Sequence, residues 1–387
     1  MVTLEALQAR KGDALLLRRE AGDSSALIII DGGAAGVFRL SLQPRLDALR
    51  RELQSDDPEP PSLRVDLMIV SHIDDDHIAG LLELTDHLID QPQVGNLDYK
   101  IRVIWHNSFE AIAQGAAAGL ASVTGDANTA SIDNTMTELN LSTEGALVVV
   151  SIPQGRRLAD NARRLDIASN VPWKGPIVAD TSLRDLQIAE GVKATVLCPN
   201  AEQIRQLEMA SAKVKGADKA TAAAFVDEEV TNLSSIVVLV ESDGKTMLLT
   251  GDARGDHILD GAREMGIISD LNPTRQVDVL KVPHHGSNRS NGTALFDTFP
   301  ADHYVISGNG EHGNPDPETV RALIASRRRL PGHFTLYLTY APEDYRPFRG
   351  KPYPVDDLRA VLQDATDDGV LSVVTPMGNE RGVLVAP

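Results

Sequence analysis

Cysteine is nearly missing from this 387-residue chain, with Cys198 the only one. An intrachain disulfide is thereby excluded, and so is a thiolate-rich zinc site, so any metal must be held by histidine and carboxylate. Long apolar runs are missing too. The longest, such as Ala26–Ile30 and Ile236–Val240, stop far short of the roughly 20 residues that a membrane-spanning helix needs. The opening residues Met1–Leu7 lack the basic stretch and apolar segment of a secretory signal, and a cytoplasmic location without membrane association is the expectation. Positive charge is scarce: 37 Lys and Arg stand against 55 Asp and Glu, a net charge of −18. A surface of that sign repels polyanions unless a local site overrides the field, which disfavours a dedicated duplex-binding protein.

What is present, 42% hydrophobic and 24% charged residues, suits a globular chain with a sizeable core. Val2–Ala9, Asp13–Arg18 and Ala26–Ile30 read as a meander of strands, and a helix fits Phe38–Leu53. Val65–Val70 reads as one buried strand and Ile101–Trp105 as another, with a helix between them carrying Ile78, Leu81, Leu82 and Leu88 at helical spacing. Residues 108–180, rich in Ala, Gly, Thr and Asn, read as a partly helical insertion or lid. The second half repeats the style. Lys193–Leu197, Ile236–Val240 and Thr246–Leu249 are strands, then helix and strand alternate through Val277–Val282, Tyr304–Ile306 and a helix opening at Asp316-Pro317. Two strand-rich then helical halves predict an α/β sandwich of two sheets covered by helices. Residues 1–340 are expected to form its main domain, and 341–387 an extension packed on it.

The segment Ser71-His72-Ile73-Asp74-Asp75-Asp76-His77 lies between a buried strand and a helix. Three adjacent carboxylates repel one another, and two histidines cannot neutralise them at pH 7; a divalent cation would. In an extended loop His72, Asp74 and Asp76 share one side, His77 turns in as the helix begins, and Asp75 points away, so four ligands can serve two metal positions. An acidic helix N-terminus would account for the aspartates but not for both histidines. Two further strand ends carry candidates. Asp252 follows Thr250-Gly251, where a lone aspartate can also be a helix cap, and His284-His285 precede Gly286-Ser287. Two imidazoles in a core need two sets of hydrogen-bond partners, which makes the pair unusual.

Taken together, these residues resemble the metallo-β-lactamase superfamily. Within it they are most similar to the ComEC-like branch, the soluble hydrolase domain of DNA-uptake competence proteins. The matching elements are Gly12-Asp13-Ala14, Ile30-Asp31-Gly32-Gly33, Ser71-His72-x-Asp74-x-Asp76-His77, Ser235, Thr250-Gly251-Asp252 and His284-His285-Gly286-Ser287. They span most of the chain outside 108–180 and the last 40 or so residues. The resemblance implies an αββα four-layer sandwich in which His72 and Asp74 hold one metal, Asp76 and His77 the other, and Asp252 bridges them. It makes His284 the last ligand and turns His285 toward substrate, with the reverse order as the alternative. Asp76, His285 and His312, the last in an element similar to the branch's late Gly-His-Pro, are the candidates for a direct part in catalysis. Asp31 is expected to orient a ligating histidine, as such ligands usually require.

Two departures from the superfamily pattern bear on the metal. Asp74 stands where histidine is usual, so Mn²⁺ or Mg²⁺ becomes plausible beside Zn²⁺. The usual Gly-His before the hairpin is replaced by Thr231-Asn232-Leu-Ser-Ser235, which leaves Asn232 as a substitute ligand. His106 could help bind substrate, though a structural role suits it better; His87, His257, His303 and His333 have no partners by spacing. The implied function is metal-dependent hydrolysis of nucleotide or nucleic-acid phosphodiesters by metal-activated hydroxide. The alternatives are a lactone, thioester or other carboxylic-ester hydrolase on the same fold, or a non-catalytic metal-binding interaction protein.

Overall fold

Strands that are apolar on both faces must be covered on both faces, and the computed structural model of the protein shows how this is done. It describes residues 1–22, 24–53, 61–91, 97–107, 143–205, 234–347, 350 and 352–387. In the first sheet β1 (Val2–Leu7), β2 (Leu15–Ala21) and β3 (Ser24–Ile30) run antiparallel, and β5 (Leu67–Ile69), β7 (Val103–Trp105) and β8 (Ala168–Ser169) continue it in parallel. In the second, β9 (Leu186–Ala189), β10 (Val192–Cys198), β11 (Val237–Ser242) and β12 (Lys245–Leu249) are antiparallel. From there β13 (Val277–Lys281), β14 (Ala301–Ile306), β15 (Phe334–Leu338) and β16 (Leu371–Val374) run parallel. β17 (Gly382–Val385) returns to the first sheet beside β1, so the last 47 residues of sequence supply an edge strand to each sheet.

Alternation along the strands sets the layers. Leu15, Leu17, Ile28 and Ile30 meet Val238, Val240, Met247 and Val279 between the sheets. Leu16, Leu27 and Ile29 face outward, where α1 (Gln43–Glu52), α2 (Asp75–Asp90) and α3 (Thr143–Arg164) bring Leu46, Leu81 and Leu158 onto them. On the far side Leu239, Leu248 and Leu280 are covered by α4 (Gly255–Glu264), α5 (Thr293–Thr298), α6 (Pro317–Arg327) and α7 (Val355–Asp367). The result is an αββα four-layer sandwich, as the resemblance implies.

Three local readings change. The expected strand Val65–Val70 is two: β4 (Leu63–Val65) pairs with β6 (Tyr99–Ile101) in a separate ribbon, and only β5 enters the main sheet. The break falls at Asp66, whose buried carboxylate accepts from Leu27 N at 3.2 Å, and the neighbouring run splits in step at Arg102. The first residues of the expected strand Asp13–Arg18 form the turn before β2, which leaves Asp13 buried at the strand's foot. The described part of the 108–180 segment, from 143 onward, belongs to the outer layer: Asn161 of α3 donates to Thr85 Oγ1 at 3.0 Å and to Asp86 Oδ1 at 2.8 Å on α2. Residues 108–142, like Asn232, lie outside the described residues.

The parallel halves position the chemistry. Where parallel strands end, their loops collect along one rim, the usual place for a site in such sheets. Asp31 follows β3, His72–His77 follow β5, Asp252 follows β12, and His284–His285 follow β13. Gly12, at the turn into β2, presses against this rim so closely that a Cβ there would collide with the Asp76 carbonyl oxygen. Gly12→Ala should therefore lower stability by about 1–3 kcal/mol and weaken cation binding in the same protein. Urea unfolding and metal titration check both, and a variant that binds cations like the parent would show that this contact does not set the position of Asp76.

Candidate metal centre

Asp31 is the hinge of the first half of the site. Its backbone is left-handed at φ 58°, a costly conformation for a residue with a side chain, and it turns the carboxylate under the metal loop. Oδ1 accepts from Ser71 N at 2.7 Å, and Oδ2 takes both the Ser71 hydroxyl at 2.6 Å and His77 Nδ1 at 2.8 Å. With its one hydrogen given to Asp31, Ser71 Oγ can only accept from His72 Nδ1, 3.1 Å away. Both histidines thus keep a hydrogen on Nδ1, which leaves Nε2 as the nitrogen that faces Asp252 and would meet a cation. Asp74 closes the loop with its backbone in the N-cap position and its carboxylate 3.4 Å from His72 Nε2. Asp75 points elsewhere, accepting from Gln154 of α3 at 3.0 Å.

The second half converges on Asp252. Its carboxylate lies 3.9 Å from His72 Nε2, 3.4 Å from His77 Nε2, 3.7 Å from His284 Nε2 and 3.5 Å from His285 Nε2. It caps no helix, since α4 begins beyond it with Arg254 as N-cap. His284 and His285 are both left-handed, at φ 51° and 53°, and this consecutive pair of strained residues turns both rings to the same carboxylate. His72, His77 and Asp252 form one group with ligand atoms in mutual reach, and Asp76, His77 and His285 form another. The two members of the pair differ in their surroundings. His285 is buried and shares a group with Asp76 and His77, whereas the His284 side chain keeps 18% of its exposure and bonds Ser290 Oγ at 2.9 Å.

A divalent cation fits this donor set. The Nε2 atoms of His72, His77 and His285 and Asp252 Oδ1 are buried and make no hydrogen bond, an arrangement that costs free energy unless something binds them. The titration behaviour has the same origin. Burial opposes protonation of His285, but the Asp252 and Asp13 carboxylates outweigh it and raise its pKa to about 9; Asp252 and Asp31 hold His77 well above its ordinary value. Asp252 is held well below the carboxylate range, because His285, His77 and His284 outweigh its burial. Asp76 comes down to about 2, with the charges of Lys11, His77 and His285 outweighing burial.

His312 lies at the rim near Asp76. Burial and the charge of Lys11 push its pKa down to about 4, and Asp76 and His285 also act on it. His106 follows β7 beside the metal loop's strand and joins none of the metal-holding groups; Asn170 pins its backbone N–H at 2.9 Å. His87 bonds Gln91 and Asp98, His303 lies 3.4 Å from Tyr337, His333 bonds Ser372, and His257 is on α4; none joins the groups. Three residues near the centre had no assigned role in the sequence reading. Lys281 is a lysine in an apolar strand pattern, and that misfit was the available signal. Asp13 was marked only as part of Gly12-Asp13-Ala14. Lys11 beside it offered no signal.

No family model and no curated protein matches the chain. Among solved structures, the metallo-beta-lactamase fold protein YhfI from Bacillus subtilis is similar over 100% of both chains, at 10% identity and a TM-score of 0.34. So distant a likeness carries no weight, and the architecture rests on the strand order given above.

Two measurements test the site. Cations added to chelator-treated protein should raise its unfolding free energy by about 2.7 kcal/mol at 100 times Kd, and Asp252→Asn should shrink that gain. An equal gain in the variant would remove Asp252 from the ligand set. Burial lowers the His106 pKa to about 4, so the folded state resists a proton that the unfolded chain takes up below about 6.5. The stability this confers is present above pH 6.5 and lost as the pH falls toward 4. Relative to His106→Phe, the parent should lose roughly 3 kcal/mol across that window; parallel pH profiles would show that His106 does not titrate there.

Proposed function

We propose that the protein is a metal-dependent hydrolase of phosphodiesters in nucleotides or single-stranded nucleic acid. The metal centre supports hydrolysis, and Lys11 carries the choice of an anionic substrate. In a protein of net charge −18, a lysine held at the metal rim acts electrostatically on both Asp76 and His312. At short range a cation outweighs a diffuse, salt-screened negative surface.

His72, Asp74, Asp252 and His284 would hold one cation and Asp76, His77, Asp252 and His285 the other, which assigns both members of the histidine pair as ligands. Bound there, divalent cations would polarise the ester and supply hydroxide near neutral pH. Two imidazoles and two carboxylates at each position suit Mn²⁺ as well as Zn²⁺. Asp252 would contribute to both positions. Lys11 binds a phosphate oxygen as a point charge. His312, neutral at pH 7 because its pKa is near 4, is a weak acid there and contributes hydrogen bonding that orients the diester rather than a proton for the leaving group.

Metal-loaded protein tested against bis-p-nitrophenyl phosphate, cyclic nucleotides, linear DNA and RNA, and a lactone panel decides the reading. Diester hydrolysis dependent on Mn²⁺ or Zn²⁺ is expected, and it should fall to background in Asp252→Asn. Lys11→Met should keep its cations and raise KM for the diester about tenfold. Lactone or thioester turnover without any diester turnover would overturn the substrate assignment and leave the metal centre standing.

A further inference from the structure

Behind His285, on the side away from Asp252, lies a second ionic arrangement that needs an explanation of its own. Asp13, 1% exposed at the turn into β2, and Lys281, 0% exposed at the end of β13, join the two sheets through a 2.5 Å ion pair between Oδ2 and Nζ. A fully buried pair is weak evidence for stability, because desolvating both charges offsets much of their attraction. Its surroundings point to another use. Asp13 Oδ1 lies 3.3 Å from His285 Nδ1 and also accepts from the Ser307 hydroxyl, whose oxygen is 3.2 Å from the same ring nitrogen. Lys281 Nζ donates to Gly251 O at 3.2 Å, and that carbonyl also accepts His284 N at 3.1 Å.

We propose that Asp13 and Lys281 are a cross-sheet positioning pair for His285: Asp13 holds a proton of His285 on Nδ1, which leaves Nε2, aimed at Asp252 and the candidate cation position, as the nitrogen that a cation would take. The proposal rests on reading the cluster as a metal centre. An ionised carboxylate only accepts, so a ring nitrogen facing Asp13 must carry the hydrogen. The Ser290 hydroxyl behind His284 Nδ1 can donate or accept, and imposes no such choice. Lys281 adds two things. Its ammonium keeps Asp13 ionised in a dry interior, and it cancels one negative charge that would otherwise sit beside three carboxylate ligands. Its bond to Gly251 O ties the loop that carries Asp252 to the same cation. Asp13 thus does for His285 what Asp31 does for His77, from the opposite sheet.

The test separates positioning from mere sheet joining. Asp13→Leu alone should destabilise the protein strongly, since Lys281 is left buried and unpaired. The double variant Asp13→Leu, Lys281→Met removes both charges and should recover most of that loss, while its affinity for Mn²⁺ at the His285 position stays 10–100-fold below the parent's. Apo melting temperature and Mn²⁺ stoichiometry are read on the same samples. A double variant that binds two Mn²⁺ as tightly as the parent would overturn the proposal. Should the variants fail to fold, nitrogen-15 spectra of the metal-loaded parent, assigned with His285→Gln, still decide: Nδ1–H on His285 is expected, and Nε2–H overturns it. A parent that binds no Mn²⁺, Zn²⁺ or Mg²⁺ removes the metal centre itself, a failure distinguishable from that of the pair.

Discussion

Asp252 sets the constraint that the rest of the site satisfies. A buried carboxylate within 3.4 to 3.9 Å of four imidazole nitrogens cannot be stable as an isolated ion, nor can those nitrogens be satisfied by one another. The arrangement makes sense around bound positive charge, and each structural oddity nearby serves it. Asp31, His284 and His285 adopt left-handed backbones because their rings and carboxylates must turn back over the rim. Loops leaving β3, β5, β12 and β13 can reach one spot because these strands all end on the same side of their sheets. The meanders that open each sheet bring the turn between β1 and β2 there as well, which is how Lys11, Gly12 and Asp13 come to touch a site built mainly by parallel strands.

How much of this was legible follows from how local the determining forces are. The metal loop was legible because Coulomb repulsion among Asp74, Asp75 and Asp76 acts between neighbours in sequence, and the layers were legible because alternation along β2, β3 and β12 is local too. The split at Asp66 was not, since what ends that strand is the bond to Leu27, 39 residues away. The surroundings of His284 and His285 escaped for a similar reason. Spacing alone places them as adjacent residues at a strand end, whereas their burial depends on two successive left-handed residues and on Ser290, Ser307 and Asp13. Lys281 escaped as well: a lysine in an apolar strand was a signal of buried charge, but its partner lies on the other sheet, 268 residues away by number.

Charge balance links the centre to its substrate. Asp13 and Lys281 cancel, which leaves Asp31, Asp74, Asp76 and Asp252 as the acidic groups of the centre. Four negative charges balance the two divalent cations of the proposed function, so a loaded centre carries little net charge, and the charge left at the rim is that of Lys11. His312 reinforces this, because burial and Lys11 keep it neutral and prevent a second cation from forming there at pH 7. A site so balanced would attract the proposed diester without trapping it: Lys11 would offer one charge to an anion that carries one, while the field of the −18 surface would favour departure of the products. If Lys281 were neutral, Asp13 would add a fifth negative charge and the lysine at the rim would have nothing left to offer. On this reading, the buried cation that no substrate touches is what makes the half-buried Lys11 effective.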